Sequence, residues 1–585
     1  ITRLYQNNRG WVWGGMPVAA IDHIEVIRGP GSALYGADAF SGVINIVTKT
    51  KESIEGTEMG SRVGNFGRGE IWALHGGNYG GFDVAMTVEG LTTDGYEAIL
   101  EADAQTPLDK VYGTQASLTP GPVNVQRKVV DTRLDISKGH WRLRGGYQGR
   151  YDVGSGAGVS LDPFARHQDD RINADLTWHN PSLTDNWDVK AQASYYHTKF
   201  QTKDQTVYPP GAFGGAYPNG YIFDASLAES HTRLELSSFY AGFKEHLIGL
   251  GTGYHYADAY EYKTFQNTNP ITGAVIPIGE PLFETTGTIY EPFPEMTRKD
   301  WHVFLQDIWA INSNFELTAG IRYDHYSDFG STINPRGALM WQPRQDITAK
   351  ILYGSAFRPP SQSDYFLNNN ALWMTGNLNL DPETVKTWET AFDYKVTDTL
   401  HLATNLYYFK WTDGIILAPD TREGASGILA TKNAGLQKGQ GLEFEIRWKM
   451  TKKSSLLANY AFTKTTDEKL QHDAGSYPQH SIYLRTDWLL YPKWYLNTQV
   501  NWIGEMQRAF GDPRAPLDDY TTVDLTLRRK DIRQGHWNFA ASVRNLFNAD
   551  VRSPSAGPDA IGVITNPYDF PEARRSYWVE LRYSF

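Results

Sequence analysis

The sequence predicts an all-β membrane protein, an outer-membrane β-barrel of antiparallel strands. Three observations predict it: many short segments alternate between apolar and polar residues, aromatic residues are abundant, and no apolar run approaches the roughly 18 residues of a transmembrane helix. The 585 residues include 34 Tyr, 26 Phe and 18 Trp, an excess that suits the aromatic girdles of a barrel. A soluble all-β protein such as a propeller shares these biases, so composition alone leaves both classes open.

The alternation is clearest near the C-terminus. In residues 578–585, apolar and aromatic side chains share one strand face, and polar or charged side chains share the other. The same period of two recurs in residues 442–448, 496–502 and 523–528. Full charges on the polar face suit the wet lumen of a large barrel. A terminal strand ending in Phe585 suits the last strand of a bacterial barrel, with an ordinary edge strand as the alternative.

Connections between the predicted strands alternate in length, as in barrels that pair short periplasmic turns with long extracellular loops. Short turns are predicted at residues 311–314 and 397–399. Long stretches are predicted at residues 91–130, 202–230, 260–298, 358–384, 412–440 and 549–575. The chain length accommodates about 22 strands of roughly 10 residues, but about 16 strands with longer loops would fit as well.

Charge and residue types exclude several functional classes. The net charge of −11 argues against a nucleic-acid partner, because phosphate binding needs a basic face. The absence of cysteine removes disulfides, thiolate zinc sites and cysteine nucleophiles. The 15 histidines form no metal-binding pair at the usual spacing, and no catalytic motif stands out. We therefore predict no metal site, no cofactor, no catalytic residue and no enzymatic activity.

Residues 1–50 differ from the rest of the chain. They predict a small α/β piece with one strand through residues 24–27 and a second at residues 43–48. Between these strands, the glycines permit a left-handed or closely packed backbone; they are Gly29, Gly31, Gly36 and Gly42.

Residues 24–49, IEVIRGPGSALYGADAFSGVINIVTK, resemble the closing motif of the plug domain of TonB-dependent outer-membrane receptors. Three further stretches resemble later motifs of that family. These are FRPP at residues 357–360 with GNLNLDPET at 376–384, NAG at 433–435 with GQGLE at 439–443, and VRNLFN at 543–548. The resemblance extends from about residue 21 to the C-terminus.

The resemblance implies a barrel of 22 strands, filled by an N-terminal plug, in the bacterial outer membrane. We assign residues 1–50 to the C-terminal part of the plug and residues 51–585 to the transmembrane barrel. The implied partners are outer-membrane lipid, TonB with ExbB and ExbD in the periplasm, and a captured nutrient. A plug of this family normally begins far upstream with a TonB box, and no such segment is found here; an upstream part that was cleaved or left out is the expected reason.

Two groups of candidate site residues follow. Glu25 and Arg28 lie in the plug motif, where they either couple plug to barrel during transport or form a static ion pair. Ligand contacts are expected at the plug apex and in the outer loops, where aromatic rings offer stacking surfaces and arginines offer charge. These candidates are Arg9, Trp11, Trp13, Tyr208, Phe213, Tyr217, Tyr221 and Trp373. For the aromatic residues between positions 208 and 221, a girdle or loop-packing cluster is the alternative.

The predicted function is active import of a ferric siderophore, the commonest cargo in the family. Cobalamin, haem or another metal chelate remains the alternative within the same family. Haem receptors usually place a histidine between the two mid-barrel motifs, and residues 357–380 contain none. A passive porin would lack the plug motif, and an outer-membrane enzyme would need a visible catalytic set.

Overall fold

The protein is described by a computed structural model in which 22 antiparallel strands form one closed barrel. The structure describes residues 4, 18–29, 31, 36–156, 159–277, 279–288, 291, 293–366, 368–369, 374–420, 428–532, 535–558 and 564–585. The predicted fold class and strand number are thereby confirmed.

Two strands form a separate small sheet inside the barrel, β1 (Ile21–Arg28) and β2 (Gly42–Thr48). The first half of the barrel consists of β3 (Gly56–Gly64), β4 (Gly69–Tyr79), β5 (Phe82–Thr93), β6 (Arg127–Lys138), β7 (Trp141–Gly154), β8 (Arg166–Thr184), β9 (Trp187–Lys203), β10 (Tyr221–Tyr240), β11 (His246–Gln266), β12 (Met296–Asn312) and β13 (Phe315–Tyr326). The second half consists of β14 (Gly330–Arg344), β15 (Ile347–Arg358), β16 (Glu383–Lys395), β17 (Leu400–Pro419), β18 (Leu429–Thr451), β19 (Ser454–Asp467), β20 (Pro478–Tyr491), β21 (Trp494–Met506), β22 (Tyr520–Ile532), β23 (Trp537–Arg544) and β24 (Ser576–Ser584).

Helices are few and short among the described residues. They are α1 (Lys51–Ile54), α2 (Gln105–Tyr112), α3 (Ala212–Gly215) and α4 (Gln362–Phe366), with a 3-10 turn at Gly36–Asp38. None of the described helices has the length and apolar character needed to cross a membrane. The connections also contain short strand pieces at Ile99–Leu100, Gly121–Pro122, Thr206–Tyr208, Phe283–Glu284, Asn368–Asn369, Met374–Thr375, His472–Asp473, Arg552–Ser553 and Phe570–Pro571.

The barrel closes because its last strand pairs with its first. Strand β24 runs antiparallel to β3, from the pair Glu58 and Ser584 to the pair Gly64 and Trp578. The amide of Phe585 then donates a hydrogen bond of 2.9 Å to the carbonyl of Thr57. Closure pairs both edges of the sheet, so the backbone polar groups of the described strands find partners within the membrane.

The alternation along each strand separates a lipid face from a lumen face. In β4, Ile71 is 67% exposed on the outside, whereas Glu70 and Trp72 are buried on the inside. In β24, Val579 and Leu581 point outward and Glu580 is buried against the lumen. Hydrocarbon accepts the apolar face without a hydrogen-bonding penalty, and ion pairs inside the lumen satisfy the polar face.

Two belts of aromatic residues ring the outer surface. Near the short-turn end the exposed members are Trp141, Trp309, Phe315, Trp341, Trp448 and Trp488. Nearer the long-loop end, Trp301 contacts Tyr323 at 5.3 Å between ring centroids, and Trp388 contacts Tyr353 at 5.4 Å. Their amphipathic rings suit the two headgroup layers of a membrane.

The connections are short at one end of the barrel and long at the other, as predicted, but the predicted bounds of two long loops were wrong. Residues 412–440 were expected to form one loop, yet β17 continues to Pro419 and β18 begins at Leu429. Likewise, β10 already begins at Tyr221, within the stretch predicted as loop. Strands of 20 and 23 residues exceed the roughly 10 residues that cross the membrane. Beyond the membrane neither face meets lipid, so the apolar alternation fades while the strand continues.

The described part of residues 1–50 lies inside the barrel and contacts its wall on several sides. Ala19 packs with Trp72 and Leu74 of β4. An added methyl group at Gly36 would lie 2.9 Å from the guanidinium of Arg322 in β13. Leu4 donates its backbone N–H to Glu229 of β10 at 2.9 Å. These contacts place the described part of residues 1–50 in the lumen; the boundary at residue 50 stays a prediction, with α1 between β2 and β3.

Candidate functional site

The contact between plug and wall is best defined at the end of β1. Arg28, the last residue of that strand, forms an ion pair with Glu443 on the inner face of β18. The next residue, Gly29, has φ of +73°, and an added Cβ would lie 2.1 Å from the carboxylate of Glu389 in β16. Only glycine allows the chain to turn this closely against the wall without strain. The sequence predicted that Arg28 would pair with a charged group, and this pair is present.

Glu25 has its partners within the plug itself. Its carboxylate accepts hydrogen bonds from Asn45 at 2.7 Å and from His23 at 3.3 Å, and these bonds hold the pKa of Glu25 below its ordinary value. The hydrogen bond with Asp22 raises the pKa of His23. Glu25 therefore links β1 to β2 within the plug, whereas Arg28 contacts the barrel wall. A role of Glu25 and Arg28 in coupling plug movement to transport stays a prediction.

Arg28 borders a lumen cavity of about 680 Å³ that extends toward the short-turn end; we call it the carboxylate cavity. Its charged lining residues are Arg28, Lys350, Glu389, Asp393, His401, Glu443, Glu445 and Arg447. The side-chain amide of Asn405 donates to Glu389 at 3.1 Å, and Arg447 pairs with Glu445 at 2.7 Å. Acidic and basic groups are nearly balanced, with one ion pair joining the plug to the wall and the others lying within the wall.

Four of the predicted ligand residues come together in the loop between β9 and β10; we call Tyr208, Phe213, Tyr217 and Tyr221 the aromatic loop cluster. Ring centroids lie 4.9 Å apart for Tyr208 and Phe213, and 5.6 Å apart for both Tyr208–Tyr217 and Tyr217–Tyr221. All four side chains are half-buried. Phe213 has φ of +53°, a strained conformation for a bulky residue. The loop thus holds its aromatic rings in a defined arrangement.

The aromatic loop cluster continues into the lumen face of β10. Tyr221 and Phe223 alternate along the strand with the same period as Glu229, which faces the plug. Below them, Leu227 packs with Phe200, Tyr262 and Phe293 in a buried apolar cluster. Aromatic surface therefore extends from the outer loop into the barrel mouth. The sequence missed Phe200, Tyr262 and Phe293, because they lie on different strands and no local pattern links them.

Arg9, Trp11, Trp13 and Trp373 lie outside the described residues. Among the residues that the structure does describe, no group of three or more His, Cys, Asp or Glu side chains is arranged to hold a metal ion.

The sequence also missed an ion cluster in the outer loops. Arg508, which follows β21, donates to Asp569 at 2.7 Å, and Arg514 donates to Asp512 at 2.5 Å and to Asp569 at 3.2 Å. Burial would raise the pKa of Asp569, but hydrogen bonds from Arg508 and the amide of Ser555, with the charges of both arginines, hold its pKa below the ordinary value. The cluster ties the loop at residues 507–519 to the loop at residues 545–575. No local sequence pattern could predict that Asp569 pairs with arginines 55 or more residues away in the chain.

Family models agree with this arrangement of plug and barrel. A model described as TonB dependent receptor-like, beta-barrel matches residues 65–546, and a TonB-dependent Receptor Plug Domain model matches residues 3–43. The chain belongs to the TonB-dependent receptor family. This family consists of outer-membrane transport receptors, which places the receptor in the bacterial outer membrane and agrees with the prediction that it is not an enzyme.

Relatives of known description cover most of the receptor. An iron-regulated outer membrane virulence protein of Vibrio cholerae is 23% identical, over 99% of this chain and 81% of its own length. A vitamin B12 transporter of Photobacterium profundum is also 23% identical, over 97% of this chain and 80% of its own. The ferric enterobactin receptor of Pseudomonas aeruginosa has the same fold, with a TM-score of 0.75 at 18% identity, covering 97% of this chain and 87% of that one.

Proposed function

We propose that this receptor actively imports a ferric siderophore, captured at the long-loop end of the barrel. Release toward the periplasm would be driven by TonB with ExbB and ExbD. The main observation in support of a siderophore is the aromatic loop cluster, which continues as an apolar surface into the barrel mouth. Such a face recognises a flat organic shell by stacking.

The chemistry of chelated iron supports this assignment. Iron in a siderophore arrives with its coordination sites already filled by the chelator, so the receptor has to recognise only the organic shell and its charge. The described residues offer aromatic rings at the barrel mouth and hold no assembled metal-ligand group there. The iron-regulated relative and the ferric enterobactin receptor are consistent with such a cargo.

Cobalamin is the second candidate. Tyr208, Tyr217 and Tyr221 could stack on a corrin ring as well as on an aromatic chelate. The vitamin B12 transporter and the iron-regulated protein have the same percent identity with this chain, so identity does not separate the two cargoes.

Competitive binding separates them. Purified receptor is offered ferric siderophores, cobalamin and haem together, and the bound ligand is identified by native mass spectrometry. We expect a ferric siderophore to be retained in preference to the other two. Retention of cobalamin or haem with no detectable ferric siderophore would overturn the cargo and leave the transporter assignment intact.

A matched pair of substitutions locates the contact. Phe213→Ala removes one ring of the aromatic loop cluster, and we expect it to weaken ferric siderophore binding by about fivefold to tenfold, the contribution of one well-placed aromatic contact. Phe243→Ala removes an equally large ring from the turn at the opposite end, where it is 60% exposed, and should leave binding unchanged. Equal affinities for the two variants would contradict a ligand site at the loop.

A further inference from the structure

A second lumen cavity lies where the barrel closes, between β3, β24 and their neighbours. It has a volume of about 480 Å³ and is bordered by Val18, just before the plug sheet, and by loop residues such as Tyr96 and Ala573 at the long-loop end. We call it the arginine cavity, because its charged lining residues are Arg62, Arg68, Arg127, Arg528, Arg544, Arg582 and the single carboxylate Glu580.

Half of these arginines are neutralised by the wall itself. Arg62 donates to Glu70 at 2.9 Å and to Glu580 at 2.5 Å, and its guanidinium lies 4.8 Å from the ring centre of Trp578. Arg582 donates to Glu580 at 2.5 Å, and Arg68 donates to Glu70 at 2.5 Å. These ion pairs and ring contacts link β3, β4 and β24, and so stabilise the place where the first and last strands of the barrel pair.

The charges of the other three arginines are not neutralised by carboxylates of the wall. Within the described parts of the chain, no carboxylate lies within ion-pair distance of Arg127, Arg528 or Arg544. The Nε atoms of Arg127 and Arg68 are both buried and lack a hydrogen-bond partner. Arg127 also lies within electrostatic range of the like charges of Arg68 and Arg150. Buried donors without acceptors and neighbouring like charges both raise the free energy of an empty site.

A bound anion would remove both penalties at once. Guanidinium groups present paired N–H donors that match the oxygens of carboxylates and phosphates, and a confined basic wall concentrates anions near it. A single carboxylate could satisfy Arg127 and Arg68, while a second charged group of the same molecule could reach Arg544.

We propose that the arginine cavity binds a polyanionic oxygen ligand, carrying two or more carboxylate or phosphate groups, inside the barrel and apart from the aromatic loop cluster. The site goes beyond the proposed cargo, because its recognition chemistry requires neither iron nor an aromatic ring. The cavity lies in the lumen, between Val18 of the plug segment and residues of the long-loop end such as Tyr96 and Ala573.

The test measures binding of iron-free probes to the purified full-length receptor by calorimetry. Citrate serves as the carboxylate probe and pyrophosphate as the phosphate probe, each at two salt concentrations. We expect at least one of them to bind, with an affinity that falls as salt screens the arginine charges. The tighter of the two identifies the chemical source, and binding of neither would overturn the proposal.

Variants then locate the binding. Arg127→Gln combined with Arg544→Gln should weaken the bound probe by at least about tenfold, because two unpaired charges are lost. Arg144→Gln with Arg485→Gln is the matched control: it removes two lumen arginines that are already paired with Asp175 and Asp487. An equal loss in both double variants would show a general effect of charge and overturn the site.

A measurement on the unaltered receptor guards against misfolded variants. Crystals soaked in bromide should show anomalous density beside Arg127 and Arg544, and absence of density there would contradict the site. All of these probes lack iron, so the two proposals are tested separately. A receptor that fails to bind ferric siderophores could still bind citrate or pyrophosphate, and one that binds ferric siderophores could still bind neither probe.

Discussion

The two inner walls of the receptor use charge in opposite ways. On the carboxylate cavity side, Glu443 and Glu389 meet Arg28 and Gly29 of the plug, and acids nearly balance bases. On the arginine cavity side, Val18 of the plug segment borders six arginines and one lining carboxylate. A balanced wall is suited to hold a protein segment, whereas a wall with excess charge is suited to hold something that arrives and leaves. The difference indicates that plug attachment and ligand handling are assigned to separate sides of the lumen.

The largest expected effect concerns the closest approach of plug and wall. Gly29→Ala places a side chain in the left-handed region and against Glu389, which would have to leave its hydrogen bond with Asn405. We expect the free energy that holds the plug against the wall to fall by roughly 2 kcal/mol, because of left-handed backbone strain and steric overlap. Channel openings in planar lipid bilayers should therefore become about 30-fold more frequent, the factor that corresponds to that energy.

A second glycine provides the control. Gly80 also has a positive φ, of +60°, but an added Cβ there would meet nothing within 4 Å. Gly80→Ala should thus leave the openings unchanged, because it lies in a turn away from the plug. Equally frequent openings in both variants would mean that the approach of Gly29 to the wall does not seat the plug.

The next effect tests whether the Arg28 ion pair takes part in transport. Arg28→Ala should lower the rate of energised uptake by about fivefold while changing ligand affinity by less than about twofold, since a partly exposed ion pair is worth on the order of 1 kcal/mol. Uptake and binding of labelled ligand are measured on the same cells. Arg447→Ala is the control, because Arg447 lines the same cavity but pairs with Glu445 of the wall. Equal losses of uptake and binding after Arg28→Ala would favour a static pair.

A smaller effect is expected at the arginine cavity. Glu70 is buried and neutralises Arg62 and Arg68, so Glu70→Gln keeps its shape while leaving more positive charge at the arginine cavity. We expect citrate, or pyrophosphate if that is the preferred probe, to bind about threefold to fivefold more tightly. Glu235→Gln removes a carboxylate that pairs with His302 on another part of the wall, and should not change the affinity. Unchanged or weaker binding after Glu70→Gln would count against an electrostatic origin of the site.

The sequence predicted these two walls unequally. Arg28 could be singled out because the plug motif places it at a strand end in a segment expected in the lumen. Its partner Glu443 lies 415 residues away, and no local pattern could pair them. The aromatic loop cluster was predictable because its four members lie within 14 residues, close enough for one loop to collect them.

The arginine cavity had no sequence signal at all. Arg62, Arg127 and Arg544 lie on three strands that closure of the barrel brings around one space. Their alternation marks each as a lumen residue, but register and closure decide which lumen residues become neighbours. Strand existence was therefore easier to predict than loop bounds, and loop bounds were easier than the charge pattern of the lumen.

The smallest expected effect concerns two outer loops near the arginine cavity, residues 507–519 and 545–575. Asp569 binds Arg508 and Arg514 and has a pKa held below its ordinary value near 3.8. Its contribution to loop stability is thus complete above that ordinary pKa and is lost as the pH falls through the lower, folded-state pKa. As the pH falls below that ordinary value, residues 507–519 and 545–575 should lose protection together, because protonation of Asp569 breaks its ion pairs with Arg508 and Arg514.

Proteolysis or hydrogen exchange on these two segments, at matched times across the pH range, measures the loss. Asp569→Asn tests its cause: asparagine tolerates the positive φ of 64° at this position and keeps the side-chain shape, but it carries no charge. The variant should show at neutral pH the weakened protection, by a few-fold, that the unaltered receptor shows only in acid. It should respond little to further acidification, whereas loops such as residues 204–220, which lack this cluster, should behave alike in both proteins. If the variant and the unaltered receptor lost protection over the same pH range, a carboxylate other than Asp569 would control the loops above the arginine cavity.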